Sequence, residues 1–394
     1  MNAALPNLRP LDGIRVVDFT SLVAGPWCTR LLADCGAEVI KVEAVGDGDI
    51  LRHAPPLADG MSRVFAQFNC GKKSIALNLK SPSGLALARR LIAKADIVIE
   101  NYRPGVMTRL GLDYPSAVGT NKKLIYCSIS GFGQSGPRAK QGAYAPVVHA
   151  LSGFDHVFMQ MQERAETPPV SGIMIADVTA AVYAFGAIQT ALVHRERHGV
   201  GTYIDATLIE AMMSLIGIQF QENQSDEAVA SRRFAPVRVR DGHVIIPLVS
   251  IPNYLALFQL IGRPEWKDEF GSLQGLARNR HTIEAELARW AADKTADDVE
   301  RATVAAGLPF ARYRAPADML ADVHLRQRGS FASLTDAAGD FAVLNPPFQF
   351  SAMSCVANPR VARAGEDTAD VLGSVLGVDE AELAQMRQDG AFGS

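Results

Sequence analysis

IRVVDFTSLVAGPWCTRLLADCGAEVIKV, residues 14–42, decides the fold. Its two ends, residues 14–19 and 39–42, are short apolar runs rich in Val and Ile, and they read as strands of the buried, parallel type. Between them lie a loop carrying Gly25 and Pro26, a short helix, and a turn at Gly36. That order makes a right-handed strand–helix–strand unit. The pattern then repeats: residues 74–79 read as a strand, 81–95 as a helix opened by Ser-Pro, and 97–100 and 124–129 as further strands. Residues 199–210 form a short strand running into a helix that ends near Gln219. Units of this kind predict an α/β fold with a doubly wound sheet, which binds ligands at the carboxyl ends of its strands.

The segments that follow those ends are TSLVAGP, AVGDGD, NYRPG and GFGQSGP. Gly, Pro and small polar residues gathered on one edge of a sheet make a ligand-binding rim. In each loop taken alone the same residues are ordinary turn chemistry. Neither GxGxxG after the first strand nor GxxxxGK[ST] anywhere is present, so a dinucleotide or P-loop mode of binding is not expected.

The stretch from Val170 to Glu210 holds the candidate nucleophile. Asp177 follows a short apolar run and precedes small and apolar residues at helical spacing, Ala180, Ala184, Ile188 and Leu192. A carboxylate at a helix start is stabilised as the anion by free backbone N–H groups and by the helix dipole. The plain reading is an N-cap. With Gly172, Ala176, Ala180 and Ala181 around it, the carboxylate is also open to a bulky substrate, as a nucleophile must be.

Beyond the first 220 residues the composition changes. Residues 221–235 are polar and aperiodic and read as a linker, 236–325 as a small domain, and 326–394 as a segment returning to the large domain of residues 1–220. Within the small domain a strand is expected at 243–248, helices at 254–260, 282–292 and 296–306, a strand at 310–313 and a helix at 316–321. The whole chain has 394 residues, 48% hydrophobic, and a net charge of −3 with 39 basic and 42 acidic residues in no long blocks. Neither a nucleic-acid nor a membrane partner is expected from that balance. The first residues lack the regions of a signal peptide, and no run approaches the ~18 apolar residues of a spanning helix. A soluble, cytoplasmic protein is expected, with its five scattered cysteines reduced and no metal bound.

LDGIRVVDFTSLVAGPWCTRLLADCGAEVIKVE, FNCGKKSIALNLKSPSG, ADIVIENYRPGVMTRLGLDY, SISGFGQSGP, the Asp177 segment and HGVGTYIDATLIEA occur in an order and spacing that resemble the family III CoA-transferases, with the α-methylacyl-CoA racemases as relatives. The resemblance is close over residues 11–219 and looser beyond. It implies a Rossmann-like large domain, a small α/β domain, and a ring-shaped chain that forms an interlocked, obligate homodimer. It also implies coenzyme A or acyl-CoA as substrate, no tightly bound cofactor, and a small carboxylic acid as the second substrate.

Carried over residue by residue, Asp177 is the catalytic aspartate, and the CoA-binding positions are Asn101, Tyr102, Arg109, Ala24, Leu77, Ala143, Tyr144 and Lys72, with Lys73 a further phosphate partner. Departures from the formyl-CoA:oxalate CoA-transferases of that family are Ala44 and Val45 in place of consecutive arginines, Gly142 in place of a lysine, and Ser21 and Val23 in the first loop. After the 243–248 strand, PLVSIPNY lacks those enzymes' glycine run, which implies a stiffer lid and disfavours oxalate-type substrates. Arg52, Arg138, Arg232 and Arg233 lie in loops that could face the site and would suit a dicarboxylyl donor such as succinyl-CoA. Two alternatives stay open. A racemase would need a second base, but Tyr144 stands at the racemases' histidine position, tyrosine is a poor base at neutral pH, and His149 reads as a packing or rim residue. A catalytically silent CoA-ester binding protein is the other.

Overall fold

The computed structural model describes residues 9–162, 166–226 and 234–392. The chain divides into two compact units, one made of Met1–Phe158, Thr167–Phe220 and Val323–Ser394, the other of Met159–Glu166 and Gln221–Asp322.

The first unit is built on a six-stranded, wholly parallel sheet. Its strands are β1 (Arg15–Asp18), β2 (Glu38–Glu43), β3 (Lys73–Ala76), β4 (Ile97–Glu100), β5 (Ile125–Ser130) and β6 (Thr202–Thr207). They lie in the spatial order 3-2-1-4-5-6. β1 is central, with Val16 facing Val39 on one side and Ile97 on the other. The order reverses between β1 and β4, so the loops after these two strands open on one crevice, where sheets of this kind place their ligands.

Alternating side chains explain why both faces are covered. Val16 joins the core formed with Leu31, Ile99, Ala180, Ala184 and Ile188, whereas its neighbour Val17 joins Ile40, Leu87, Leu91, Val371 and Leu372 on the opposite face. The first face carries α1 (Ala24–Asp34) and the long α6 (Ile175–His198), and the second carries α2 (Pro82–Ala93) and the C-terminal helix Thr368–Leu376. Between them in sequence, α3 (Val106–Leu110), α4 (Ala145–Leu151) and α5 (Phe154–Gln160) follow the strand ends, and α7 (Leu208–Leu215) continues from β6.

β3 is shorter than its apolar pattern suggests. After Ala76 the chain turns: Leu77 N–H bonds Glu43 O, Asn78 N–H bonds Ala391 O, and Ser81 caps α2 through Gly84 N–H. The C-terminal stretch is stitched to the same edge. Asp367 accepts from Ser74 N–H at 2.8 Å and pairs with Arg360 at 2.7 Å, and Gly71 N–H donates to Arg360 O.

α6 corrects one expectation. Its 24 residues include a window of mean hydropathy 1.4, so by length and composition it could cross a membrane. Its small residues Ala176, Ala180, Ala181 and Ala184 are instead buried against the sheet and α1 as a core helix. The other side is apolar and exposed at Val178, Val182, Tyr183 and Val193. Gly199, at φ 72°, ends the helix in the left-handed conformation that favours glycine.

The second unit has a three-stranded antiparallel sheet in the order Ala311–Arg312, Gly242–Ile245, Val237–Val239. Helices Ile251–Leu260, Arg280–Ala291 and Ala296–Ala305 enclose a core in which Phe258, Trp266 and Phe270 meet ring to ring. The strand expected to reach residue 248 stops at Ile245. Ser250 caps the next helix through Asn253 N–H, so the glycine-free PLVSIPNY stretch contains a helix start.

Candidate active site

The site begins where β1 ends. Asp18 is fully buried and accepts from Thr20 N–H at 2.8 Å, from the Thr20 hydroxyl at 2.5 Å and from the Thr29 hydroxyl at 2.6 Å. Lys72 donates to the same carboxylate at 3.1 Å, and Lys41 donates to Thr20 O at 2.8 Å while pairing with Asp49 at 2.9 Å. Against the cost of burial, the charges of Lys72 and then Lys41, with the two threonine hydroxyls, hold Asp18 down to about 2. This lattice fixes the loop Thr20–Val23, in which Leu22 takes a φ of 65°, a strained value for a branched side chain. Asn101, on the loop after β4, clamps the loop from the other side: its amide oxygen accepts from Ser21 N–H at 2.9 Å and its amide nitrogen donates to Ser21 O at 2.8 Å. At Gly25 a Cβ would lie 2.2 Å from the Cβ of Thr20, so only glycine lets α1 start this close to the loop.

The loop delivers the first N–H of α1. The backbone N–H groups of Ala24 and of Asp177 itself favour the ionised form of the Asp177 carboxyl. Asp177 is the third residue of α6, and the cap position belongs to Met174, which offers no side-chain bond. Asp177 is therefore not a simple N-cap. Burial raises its pKa from 3.8 to about 6, opposed only by those two N–H groups, with no cation among the causes. A half-buried carboxylate without an ion-pair partner among the described residues keeps an electron pair available, and the two helix N-termini supply partial positive charge to stabilise the anion.

The other expected site residues divide into those the structure brings to this edge and those it does not. Tyr102 is half-buried, with burial pushing its phenol up to about 12 and its N–H held by Glu100 at 2.8 Å. Arg109 is exposed on α3 and makes no ion pair among the described residues. Ala143 is half-buried, and Tyr144, 65% exposed, leads into α4. Ala24 contributes backbone to Asp177. Leu77 is only 1% exposed with its side chain in the core, so only its main chain could meet a ligand.

Lys72 needs correcting. It is 2% exposed and its ammonium is committed to Asp18, Pro26 O and Asn69, which puts it out of reach of a phosphate in the rim. Lys73 pairs with Glu38 and Asp370. Arg52 is likewise structural, fastening Glu43 at 2.6 Å, donating to Ala362 O and lying 3.8 Å over the Phe65 ring. Arg138 is exposed and bonded to Gln141, while Arg232 and Arg233 lie outside the described residues.

Two features escaped the sequence reading. His149 is not at the rim: it is fully buried, and its Nε2 accepts from Ala176 N–H at 3.1 Å, one residue before Asp177. Away from Asp177, a cleft of about 470 Å³ is lined by Glu100, Arg103, Tyr114, Tyr126, Lys140 and Tyr203 among others. Burial raises Glu100 there to about 7. Among the described residues no group of three or more His, Cys, Asp or Glu could hold a metal ion.

The family model for CoA-transferase family III matches residues 11–368. The chain is 40% identical over 258 residues to a succinate–glutarate CoA-transferase of Agrobacterium fabrum, covering 63% of this chain and 62% of that protein. It is 30% identical over 394 residues to a succinyl-CoA–D-citramalate CoA-transferase of Chloroflexus aurantiacus, covering 96% of this chain and 97% of that one. The solved structure of a CAIB/BAIF family protein from Brucella suis superposes with a TM-score of 0.81 at 30% identity, covering 93% of this chain and 99% of the other.

Proposed function

Because this chain belongs to CoA-transferase family III and is a CoA-transferase, we propose that it moves CoA from a dicarboxylyl-CoA such as succinyl-CoA to a free carboxylic acid through covalent intermediates on Asp177. The observation that carries the reading is the Asp177 carboxyl itself: half-buried at the N-terminus of α6, without an ion pair among the described residues, and raised by burial to about 6.

The steps balance without any further reagent. The Asp177 carboxylate attacks the thioester carbonyl, the C–S bond breaks, and CoA leaves as the thiolate, giving a mixed anhydride. The thiolate attacks the aspartyl carbonyl, releasing the donor acid as carboxylate and leaving CoA as a thioester on Asp177. The acceptor carboxylate attacks that thioester to form a second anhydride, and the returning thiolate takes the new acyl group and frees Asp177. Each step exchanges one acyl bond for another of similar energy, so the site has to hold its groups in place rather than supply a strong acid or base. CoA enters and leaves as a substrate.

The rim of Asn101, Tyr102, Arg109, Ala143 and Tyr144 serves CoA, with the Arg109 guanidinium available for a charge-assisted phosphate contact. The substrates in the names of the two relatives above favour a dicarboxylyl donor. An epimerase would need a base opposite Asp177. The Nε2 lone pair of the buried His149 is taken by Ala176 N–H, and tyrosine is as a class a poor general base, which favours the transferase. The exposed apolar side of α6, with Met213 and Leu215 of α7, supports association with a second copy; the obligate, interlocked form of that homodimer follows from the family resemblance alone.

Intact-protein mass spectrometry after mixing with succinyl-CoA, with hydroxylamine or borohydride to trap the thioester, tests the route. A modified peptide containing Asp177 and a new acyl-CoA in the presence of an acceptor acid are expected, and both are lost in Asp177→Ala. If no adduct forms and the α-proton of a 2-methylacyl-CoA exchanges with deuterated solvent, the protein is an epimerase instead.

A further inference from the structure

We infer that His149 is a positioning residue for the nucleophile, acting through the backbone N–H of Ala176; the inference rests on the aspartyl route above. An α-helix leaves the N–H groups of its first turn without helical partners. In α6 each one can be accounted for. Ile175 N–H bonds Ile173 O at 2.8 Å, Val178 N–H bonds Met174 O at 3.0 Å, and Asp177 N–H favours the ionised form of its own carboxyl. Ala176 N–H is the remaining one, and its partner is the Nε2 of His149, brought from α4.

The bond has only one sense. A backbone N–H donates, so Nε2 must hold a lone pair and the ring proton sits on Nδ1. Burial favours the uncharged ring this requires, lowering the pKa against the opposing pull of Asp155 on α5. The ring is fixed by its surroundings: it is wholly buried and packs 6.0 Å from the Phe154 ring. Nδ1 is buried as well and has no hydrogen-bond partner among the described residues, so the contact to Ala176 is the one polar anchor the imidazole has there.

This anchor matters most during turnover. In the resting enzyme the Asp177 N–H interacts favourably with its own carboxylate, a strong acceptor. Once the carboxyl becomes an anhydride or a thioester, its charge is gone and that interaction weakens. The first turn of α6 then depends on the bonds that do not change with acylation: the Thr179 hydroxyl donates to Ile175 O at 2.7 Å, and among the described residues His149 alone gives a first-turn N–H a side-chain acceptor outside the helix. Losing it would let the aspartyl carbonyl swing away from the thiolate and from Ala24 N–H at the steps where its position decides the rate.

The test compares acceptors of different reach at this position, using the full-length enzyme. In glutamine Oε1 is as many bonds from Cα as Nε2 is in histidine, in asparagine Oδ1 is one bond closer, and leucine has no acceptor. Steady-state kinetics with succinyl-CoA and an acceptor acid should show His149→Leu with kcat lowered ~10- to 100-fold and KM for the acyl-CoA within ~2-fold of wild type. His149→Gln should return kcat to within ~5-fold, and His149→Asn should not. Intact-mass time courses should show the Asp177–CoA adduct forming slowly in the leucine and asparagine variants. A folded His149→Leu with wild-type kcat overturns the inference. If the leucine variant does not fold, equal kcat in the glutamine and asparagine variants overturns it. A wild-type enzyme that forms no Asp177 adduct removes the aspartyl route itself, whereas equal adduct rates in wild type and His149→Leu remove the positioning role alone.

Discussion

Replacing Asp18 by alanine should destabilise the protein far more than loss of one side chain normally does. The carboxylate is fully buried and holds two threonines and Lys72 by bonds of 2.5 to 3.1 Å. Its pKa stands at about 2 instead of 3.8, because Lys72 and Lys41 outweigh the cost of burial. At 1.36 kcal/mol per unit that depression corresponds to about 2 kcal/mol of stability at neutral pH, but burial lowers its partner Lys72 to about 8, which offsets it, so the pair matters through its geometry rather than its net titration energy. The sign follows from the depressed value: the contribution is complete above the unfolded value near 3.8 and is lost as pH falls through about 2. Deletion costs more than titration, since it strands the buried Lys72 ammonium on Pro26 O and Asn69 alone. Breaking one side of a buried pair costs roughly 3–5 kcal/mol. Urea unfolding at fixed protein concentration would measure it, with Lys72→Met and the Asp18→Ala/Lys72→Met double variant completing a cycle. The double variant should be less destabilised than the sum of the singles by about 2 kcal/mol or more. Additive effects, or a loss below ~1 kcal/mol for Asp18→Ala, would refute the claim that this pair holds the loop.

The remaining expectations concern the same machinery. Attack needs the Asp177 anion, so with a pKa of about 6 the rate of adduct formation should fall about tenfold per pH unit below 6 and level off above about 7; a rate independent of pH between 5 and 7 would contradict the assignment. Gly25→Ala should cost about 1–3 kcal/mol by overpacking, because its Cβ would lie 2.2 Å from that of Thr20, and should lower kcat by displacing Ala24 N–H. Arg52→Ala should lower stability by roughly 1–3 kcal/mol, less than for a stranded buried charge because Glu43 keeps the Ser74 hydroxyl and Asp49 N–H, while leaving KM for both acids unchanged; a large rise in KM at full stability would instead make Arg52 a substrate ligand.

What could be read from the sequence, and what could not, follows from the range of each interaction. The strands of the sheet and the helical run after Asp177 are written in local periodicity, and they appear within a few residues of their expected places. So does the rim, because turn residues after strands mark it. Lys72 could not be placed this way. As one of two adjacent lysines beside a glycine it looks solvated, and only the folding of β1 against it brings Asp18 within 3.1 Å. Arg52 was hidden for the same reason, its partner Glu43 standing on another element. His149 is the instructive case. On α4 it occupies an apolar face, the pattern of a packing residue, and it is indeed buried. Packing and function are not alternatives for it: burial is what keeps the ring neutral, and neutrality is what lets Nε2 accept from Ala176. The signal for such a residue is a polar side chain on an apolar helix face shortly before a helix whose cap position, here Met174, supplies no side-chain acceptor. That combination announces an acceptor borrowed from elsewhere in the chain.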